Sequence, residues 1–128
     1  MILKRFLFTL PFFIAAGTIL LLSSQTDVPD LNSVFVGFDK VLHLVLYFIY
    51  GLTIQFMVIG NFPESSKKKQ IIISLAIGVI FGVIDEYYQS FQPGRIPDIV
   101  DWAADSIGIL ISLLFFGLIK RRMQNLLT

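Results

Sequence analysis

The sequence predicts an all-α integral membrane protein: a compact antiparallel bundle of four transmembrane helices with both termini in the cytoplasm. Hydrophobic residues make up 55% of the 128-residue chain and charged residues only 15%. Soluble domains carry about 25% charged residues, so this chain has too few charges to cover a surface that faces water. Its mean hydropathy of +0.80 agrees with a place in the bilayer. The length suits one domain, residues 1–128.

Four apolar runs are long enough to cross a membrane as helices, at about 6–23, 41–59, 70–91 and 101–120. About 20 helical residues cross a hydrocarbon core of roughly 30 Å. Membrane β-strands are about half as long and alternate in polarity, which these runs do not. Because the connections between the last three runs are short, we expect an antiparallel bundle.

The first run has an alternative interpretation as a cleaved signal peptide, with Lys4 and Arg5 as its charged start. The residues that follow it, Ser23-Ser24-Gln25, contain no Ala-x-Ala cleavage site, and the run is long for a signal core. These features favour a retained first helix.

The charges predict the orientation of the bundle. One side of the predicted membrane holds most of the cations, namely Lys4, Arg5, Lys67, Lys68, Lys69, Lys120, Arg121 and Arg122. The other side holds most of the acids, namely Asp27, Asp30, Asp39, Asp85, Glu86, Asp98, Asp101 and Asp105. Lys and Arg resist translocation, so the cationic side is predicted to be cytoplasmic and the acidic side to face outside.

Polar residues recur at helical spacing at the outer ends of the last three spans. The second span contributes Asp39, His43 and Tyr47, the third Asp85, Glu86 and Gln89, and the fourth Asp98, Asp101 and Asp105, with Lys40 and Arg95 nearby. Residues three or four apart share one face of a helix. Ionisable groups at membrane depth need partners or a polar cavity, so this clustering predicts a site.

Each of these residues also has a purely structural interpretation. Asp39 and Asp101 could cap the second and fourth helices, because Asp accepts hydrogen bonds from the free N–H groups of a first turn. Asp105 lies one turn inside its span and has no such capping role. Lys40 and Arg95 could simply neutralise the acids in a network that docks the helices together.

Two kinds of chemistry suit the cluster. A divalent metal is one possible cofactor, with Asp85, Glu86 and His43 as candidate ligands, since carboxylates with one His suit hard or borderline cations. General acid–base catalysis is the other, by His43 paired with Asp39 or Asp101. The chain has no cysteine, which excludes disulfides and a thiol nucleophile. Serine-hydrolase, phosphate-loop and His-Glu-x-x-His motifs are also absent from the sequence.

Two stretches of the chain resemble the motifs of the VanZ-like family. The first is Asp39-Lys40-x-x-His43-x-x-x-Tyr47 on the second helix. The second is Gly82-x-x-Asp85-Glu86-x-x-Gln89-x-Phe91-x-Pro93-Gly94-Arg95, followed by Asp101-x-x-x-Asp105-x-x-Gly108. Ser23-Ser24-Gln25 after the first helix also fits the family pattern, so the resemblance covers essentially the whole chain. The chain departs from it at Tyr88, where several members have His, and at Ile96-Pro97-Asp98, where the family is often Ser-rich.

The family takes its name from a protein linked to teicoplanin resistance, so the resemblance implies a role at the bacterial cell envelope, in the cytoplasmic membrane. Expected partners are membrane lipids, including a lipid-linked envelope precursor, or a glycopeptide; nucleic acid is not expected, and the oligomeric state stays open. As an enzyme, the chain would use His43 and Asp101 as an acid–base pair. The residues expected to bind a ligand are Asp39, Lys40, Tyr47, Asp85, Glu86, Gln89, Arg95 and Asp105. The alternatives are a binding protein without chemistry, a structural accessory subunit and a proton-coupled transporter.

Overall fold

A computed structural model of the chain describes residues 2–26 and 35–127, and every regular element in these ranges is helical. The elements are α1 (Ile2–Ser23), α2 (Phe38–Asn61), α3 (Lys67–Gln89), α4 (Ile99–Ser112), a 3₁₀ turn (Leu113–Phe115) and α5 (Phe116–Leu127). Four stretches are long and apolar enough to cross a membrane: Arg5–Ser23, Phe38–Asn61, Lys67–Gln89 and Ile99–Asn125. The prediction of an all-helical four-span fold is therefore confirmed, and α4, the turn and α5 together form the fourth span.

The two ends of the bundle differ in charge. We call the end formed by Ser23, Phe38, Gln89 and Ile99 the acidic end, and the end formed by Asn61, Lys67 and Lys120 the basic end. Asp27 and Asp30, two of the predicted outer acids, lie outside the described residues. The placement of the basic end in the cytoplasm stays a prediction.

Two helix starts differ from the sequence prediction. Gly37, with a φ of +87°, precedes α2, so Asp39 lies inside the first turn and is not the cap. Asp98 caps α4 by accepting a hydrogen bond of 2.8 Å from the Val100 N–H, so Asp101 is not the cap either. The capping roles considered for Asp39 and Asp101 are therefore wrong, which leaves both carboxylates available for other contacts.

Helix α3 also begins earlier and ends earlier than predicted. Lys67, Lys68 and Lys69 form its first turn and do not belong to the preceding loop. The cause is Ser66, whose hydroxyl accepts a hydrogen bond of 3.2 Å from the Lys69 N–H. The fourth span extends beyond residue 120, because the 3₁₀ turn joins α4 to α5 without breaking the run of helix.

Helix α2 is the centre of the bundle and contacts α1, α3, α4 and α5. Its buried side chains Tyr47, Tyr50, Ile54 and Val58 form a core with Ile109 of α4 and two residues of α1. Many large apolar side chains remain exposed on the outside of the bundle, such as that of Leu114. Such a surface suits contact with lipid and would be costly in water.

Helices α2 and α4 approach most closely at Gly108. A Cβ atom there would overlap the Leu44 carbonyl oxygen and lie 2.9 Å from the Phe48 backbone nitrogen. Backbone atoms cannot rotate away as a side chain does, so only glycine permits this approach. Asp105 precedes Gly108 by three residues and is thereby held against α2.

Candidate functional site

The acidic end brings the predicted site residues together in two neighbouring groups. One group centres on Lys40 and the other on His43, a single helical turn deeper along α2. Residues from α2, α3, α4 and the loop between α3 and α4 contribute to them. The residues that helical spacing grouped therefore lie near one another, although several pairings differ from those expected, and their role as a site stays a prediction.

The Lys40 group is a set of ion pairs near the surface of the acidic end. The Lys40 Nζ atom lies 2.6 Å from Asp101 Oδ1, 2.7 Å from Asp98 Oδ2 and 3.0 Å from Asp39 Oδ2. The Lys40 ammonium and the Val100 N–H hold the pKa of the Asp98 carboxyl below its ordinary value. One cation thus serves three carboxylates and joins the start of α2 to the start of α4.

The His43 group lies deeper and contains the carboxylate that sequence reasoning did not pair with His43. The His43 Nδ1 atom makes a hydrogen bond of 3.0 Å with Asp105 Oδ1. Asp101 Oδ2 lies 3.9 Å from His43 Nε2, which is too long for a hydrogen bond. Asp105 is therefore the residue that orients the imidazole, and Asp101 is primarily a partner of Lys40.

Tyr47 and Asp85 extend the polar contacts toward α1. The Tyr47 hydroxyl donates a hydrogen bond of 3.1 Å to Asp85 Oδ2, and both side chains are only 1% exposed. Gln89 Nε2 lies 3.5 Å from the Ser23 hydroxyl at the end of α1. Ser23 was not a predicted site residue. The only feature of the sequence that could have indicated it was its place in the Ser23-Ser24-Gln25 stretch.

Arg95 contacts α1 and not the acids of α3. Its Nε atom donates a hydrogen bond of 3.2 Å to the Gln25 carbonyl, and Nη2 lies 3.4 Å from the Leu22 carbonyl. Free carbonyls at a helix C-terminus attract a cation. Arg95 was considered as the cation for Asp85 and Glu86, and among the described residues it makes no ion pair with either.

A cavity of about 360 Å³ opens between α1, α2 and α3 at the acidic end. Its apolar wall comes from Ile19 and Leu22 of α1 and from Leu42 and Leu46 of α2. Seven of the predicted site residues line it, namely Asp39, His43, Tyr47, Asp85, Gln89, Arg95 and Asp101. The other three, Lys40, Glu86 and Asp105, do not line the cavity.

The residues with metal-ligand geometry differ by one from those predicted. Ligand atoms of His43, Glu86 and Asp105 lie within 4.8 Å of one another. Asp85, the third candidate named from the sequence, is bonded to Tyr47 and is not in this group.

The fold and the site together define a small multi-pass helical membrane protein with a polar cavity at one end of its bundle. The family model described as VanZ/LLP1 matches residues 3–120, nearly the whole chain. The protein therefore belongs to the VanZ/LLP1 family, as the two motifs predicted. No curated protein and no solved structure matches the chain.

Proposed function

We propose that this protein binds a phosphate-bearing envelope lipid, such as a lipid-linked glycan, at the extracytoplasmic face of the bacterial cytoplasmic membrane. The observation that carries the proposal is the cavity between α1, α2 and α3, in which apolar and buried polar side chains meet. Its volume of about 360 Å³ falls in the range of small-molecule pockets, about 300–1,000 Å³. A lipid headgroup at a membrane surface requires contacts with both apolar and polar side chains.

The charged side chains that line the cavity indicate which kind of headgroup would fit it. Arg95 is half-buried at the cavity, and its planar guanidinium suits a phosphate. Asp39, Asp85 and Asp101 line the same cavity and would repel a bare anion, but they accept hydrogen bonds from hydroxyl or amine groups. The combination favours a headgroup that carries a phosphate beside hydrogen-bond donors, as a phosphate-linked sugar does.

A second cavity supports a lipid over a water-soluble ligand. It has a volume of about 380 Å³ and an entirely apolar lining from α1, α2 and α3 that includes Phe12, Tyr50 and Ile84. Ile84 is adjacent to Asp85 along α3, and Tyr50 lies one turn beyond Tyr47, so the two cavities are lined by neighbouring stretches of α2 and α3. It would hold the first part of a hydrocarbon chain whose headgroup lies above.

Chemistry on the bound lipid would centre on His43, which lines the cavity and is oriented by Asp105. An imidazole held by a carboxylate can accept and return a proton near neutral pH.

The alternative is that the cluster only docks helices, which the Lys40 ion pairs between α2 and α4 favour. Teicoplanin resistance is an expectation that the family adds, since such antibiotics meet lipid-linked precursors at this face.

Native mass spectrometry of the full chain, released from mild detergent, tests the proposal. We expect a discrete phosphate-bearing lipid adduct on the wild-type protein. Loss of charged hydrogen bonds worth about 1.5–3 kcal/mol should reduce it about tenfold or more in Arg95→Ala. Asp85→Asn, which retains an acceptor for Tyr47, should reduce it as well.

Arg122→Ala is the matched control, because it removes the same side chain from an exposed position at the basic end. It should keep the adduct. The proposal fails if the folded wild-type protein carries no lipid, or if Arg122→Ala loses the adduct as completely as Arg95→Ala does.

A further inference from the structure

We propose that His43, Glu86 and Asp105 form a binding site for one divalent transition-metal ion. The three residues come from α2, α3 and α4, and their ligand atoms lie within 4.8 Å of one another. This inference does not rest on the proposed lipid function, although His43 belongs to both sites. It differs from the set expected from the sequence, because Asp105 takes the place of Asp85.

Two partnerless oxygens support the binding of a cation by this group. Glu86 and Asp105 are 8% and 1% exposed, and Glu86 Oε1 and Asp105 Oδ2 have no hydrogen-bond partner among the described residues. Buried carboxylate oxygens are normally paired, and an orphaned one carries a desolvation penalty. A shared ion would satisfy both oxygens at once.

The other oxygen of each carboxylate is held in place by the protein. Glu86 Oε2 accepts a hydrogen bond of 2.9 Å from the Asp98 N–H, and Asp105 Oδ1 lies 3.0 Å from His43 Nδ1. Each carboxylate therefore has one oriented oxygen and one free oxygen. Metal-binding carboxylates are commonly held in this way by hydrogen bonds around the site.

The surrounding charges favour a cation at this position. Lys40 is paired with Asp39, Asp98 and Asp101. Among the described residues no Lys or Arg forms an ion pair with Glu86 or Asp105. A bound ion of charge +2 would balance these two carboxylates, which are otherwise costly at membrane depth.

The donor set indicates the class of metal. One imidazole nitrogen with two carboxylate oxygens suits a borderline ion such as Zn²⁺ better than Ca²⁺, which takes six to eight oxygens. Bonds of about 2.0–2.2 Å require the ligand atoms to draw together from their present spread. Of the three proposed ligands, His43 also lines the cavity.

Zinc binding to the full chain in detergent, after treatment with a chelator, tests the inference by native mass spectrometry and calorimetry. We expect one Zn²⁺ per chain. Asp105→Asn and Glu86→Gln should each weaken binding by about tenfold or more. Co²⁺ bound in place of Zn²⁺ should give a visible spectrum of mixed nitrogen and oxygen ligation, which both substitutions should alter.

Asp98→Asn is the matched control, since it removes a neighbouring carboxylate, keeps a capping side chain and leaves the backbone N–H that bonds Glu86. It should weaken Zn²⁺ binding less than about threefold. The inference is overturned if the folded wild-type protein binds no Zn²⁺, or if Asp105→Asn and Glu86→Gln bind it as tightly. Because no lipid is added, failure of the lipid proposal leaves this result unaffected.

Discussion

The polar side chains near the basic end and in the middle of the bundle have different hydrogen-bond partners from those at the acidic end. Toward the basic end, Gln70 donates a bond of 2.8 Å to the Phe62 carbonyl and accepts one of 2.9 Å from Lys120. Deep in the bundle, Gln55 donates to the Ser112 hydroxyl at 2.9 Å, which donates in turn to a backbone carbonyl. In these contacts amide, hydroxyl and carbonyl groups are paired with one another or with Lys120, and no carboxylate takes part, as suits a structural network.

At the acidic end, acceptors greatly outnumber donors. The carboxylates there are Asp39, Asp85, Glu86, Asp98, Asp101 and Asp105, and their charged or chargeable partners are Lys40 and His43. Each carboxylate has at least one partner, but buried oxygens such as Glu86 Oε1 and Asp105 Oδ2 have none within the described part of the chain, which is costly in a low-dielectric region. The deep amide and hydroxyl contacts therefore resemble a structural network, and the partnerless carboxylate oxygens of the acidic end are what support the two binding proposals.

The largest effect on stability is expected at Gly108, where α4 contacts α2. Gly108→Ala would place a methyl group against the α2 backbone and force α2 and α4 apart. We expect a loss of about 1–3 kcal/mol in unfolding free energy, together with loss of the His43–Asp105 hydrogen bond. Thermal unfolding in detergent measures the first effect.

Gly117→Ala is the control for that prediction, because a Cβ atom at Gly117 meets no atom within 4 Å. It should be neutral or stabilising, since alanine favours a helix over glycine. Equal unfolding temperatures for the Gly108 and Gly117 variants would show that α2 and α4 do not meet as closely as described.

A smaller effect is expected in the deep structural network. Ser112→Ala removes the acceptor of Gln55 and leaves a fully buried amide unpaired. We expect a cost of about 0.5–1.5 kcal/mol in unfolding free energy, with lipid and Zn²⁺ binding unchanged. Ser106→Ala, which removes an unpartnered hydroxyl of the same helix, should not destabilise the protein. Loss of ligand binding in Ser112→Ala would contradict the division between the two regions.

The sequence predicts the four spans well because hydropathy and length determine them almost independently of tertiary contacts. It predicts helix ends less well where several residues compete for one role. Asp98 and Asp101 are both good caps three residues apart, and only the course of the chain after Arg95 decides between them. Hydropathy placed the start of the third span at about residue 70, but Ser66 caps a helix that begins at Lys67.

The clustering of these polar residues at one end of the bundle was predictable from residue type and helical spacing, and their pairings were not. Which carboxylate of α4 faces His43 depends on the rotation of α4 about its axis, which the close approach at Gly108 determines. The contact of Arg95 with α1 could not be predicted from the sequence for a different reason. Its partners are the main-chain carbonyls of Leu22 and Gln25, which leave no signature in residue types.

The central claim is that the acidic end binds a metal ion. It is tested most directly by the variant with the smallest expected effect on stability. Asp105→Asn keeps an acceptor for His43 Nδ1 and removes one buried negative charge, so the metal-free variant should unfold at the same temperature as the wild type or higher. Zn²⁺ at a hundredfold excess over the wild-type Kd should stabilise the wild-type protein by about 2.7 kcal/mol and so raise its unfolding temperature. It should stabilise the variant, which binds about tenfold or more weakly, by only about 1.4 kcal/mol or less. A metal-free variant destabilised as much as Ser112→Ala, with no effect of Zn²⁺ on the wild type, would contradict the claim and make the acidic end a structural network.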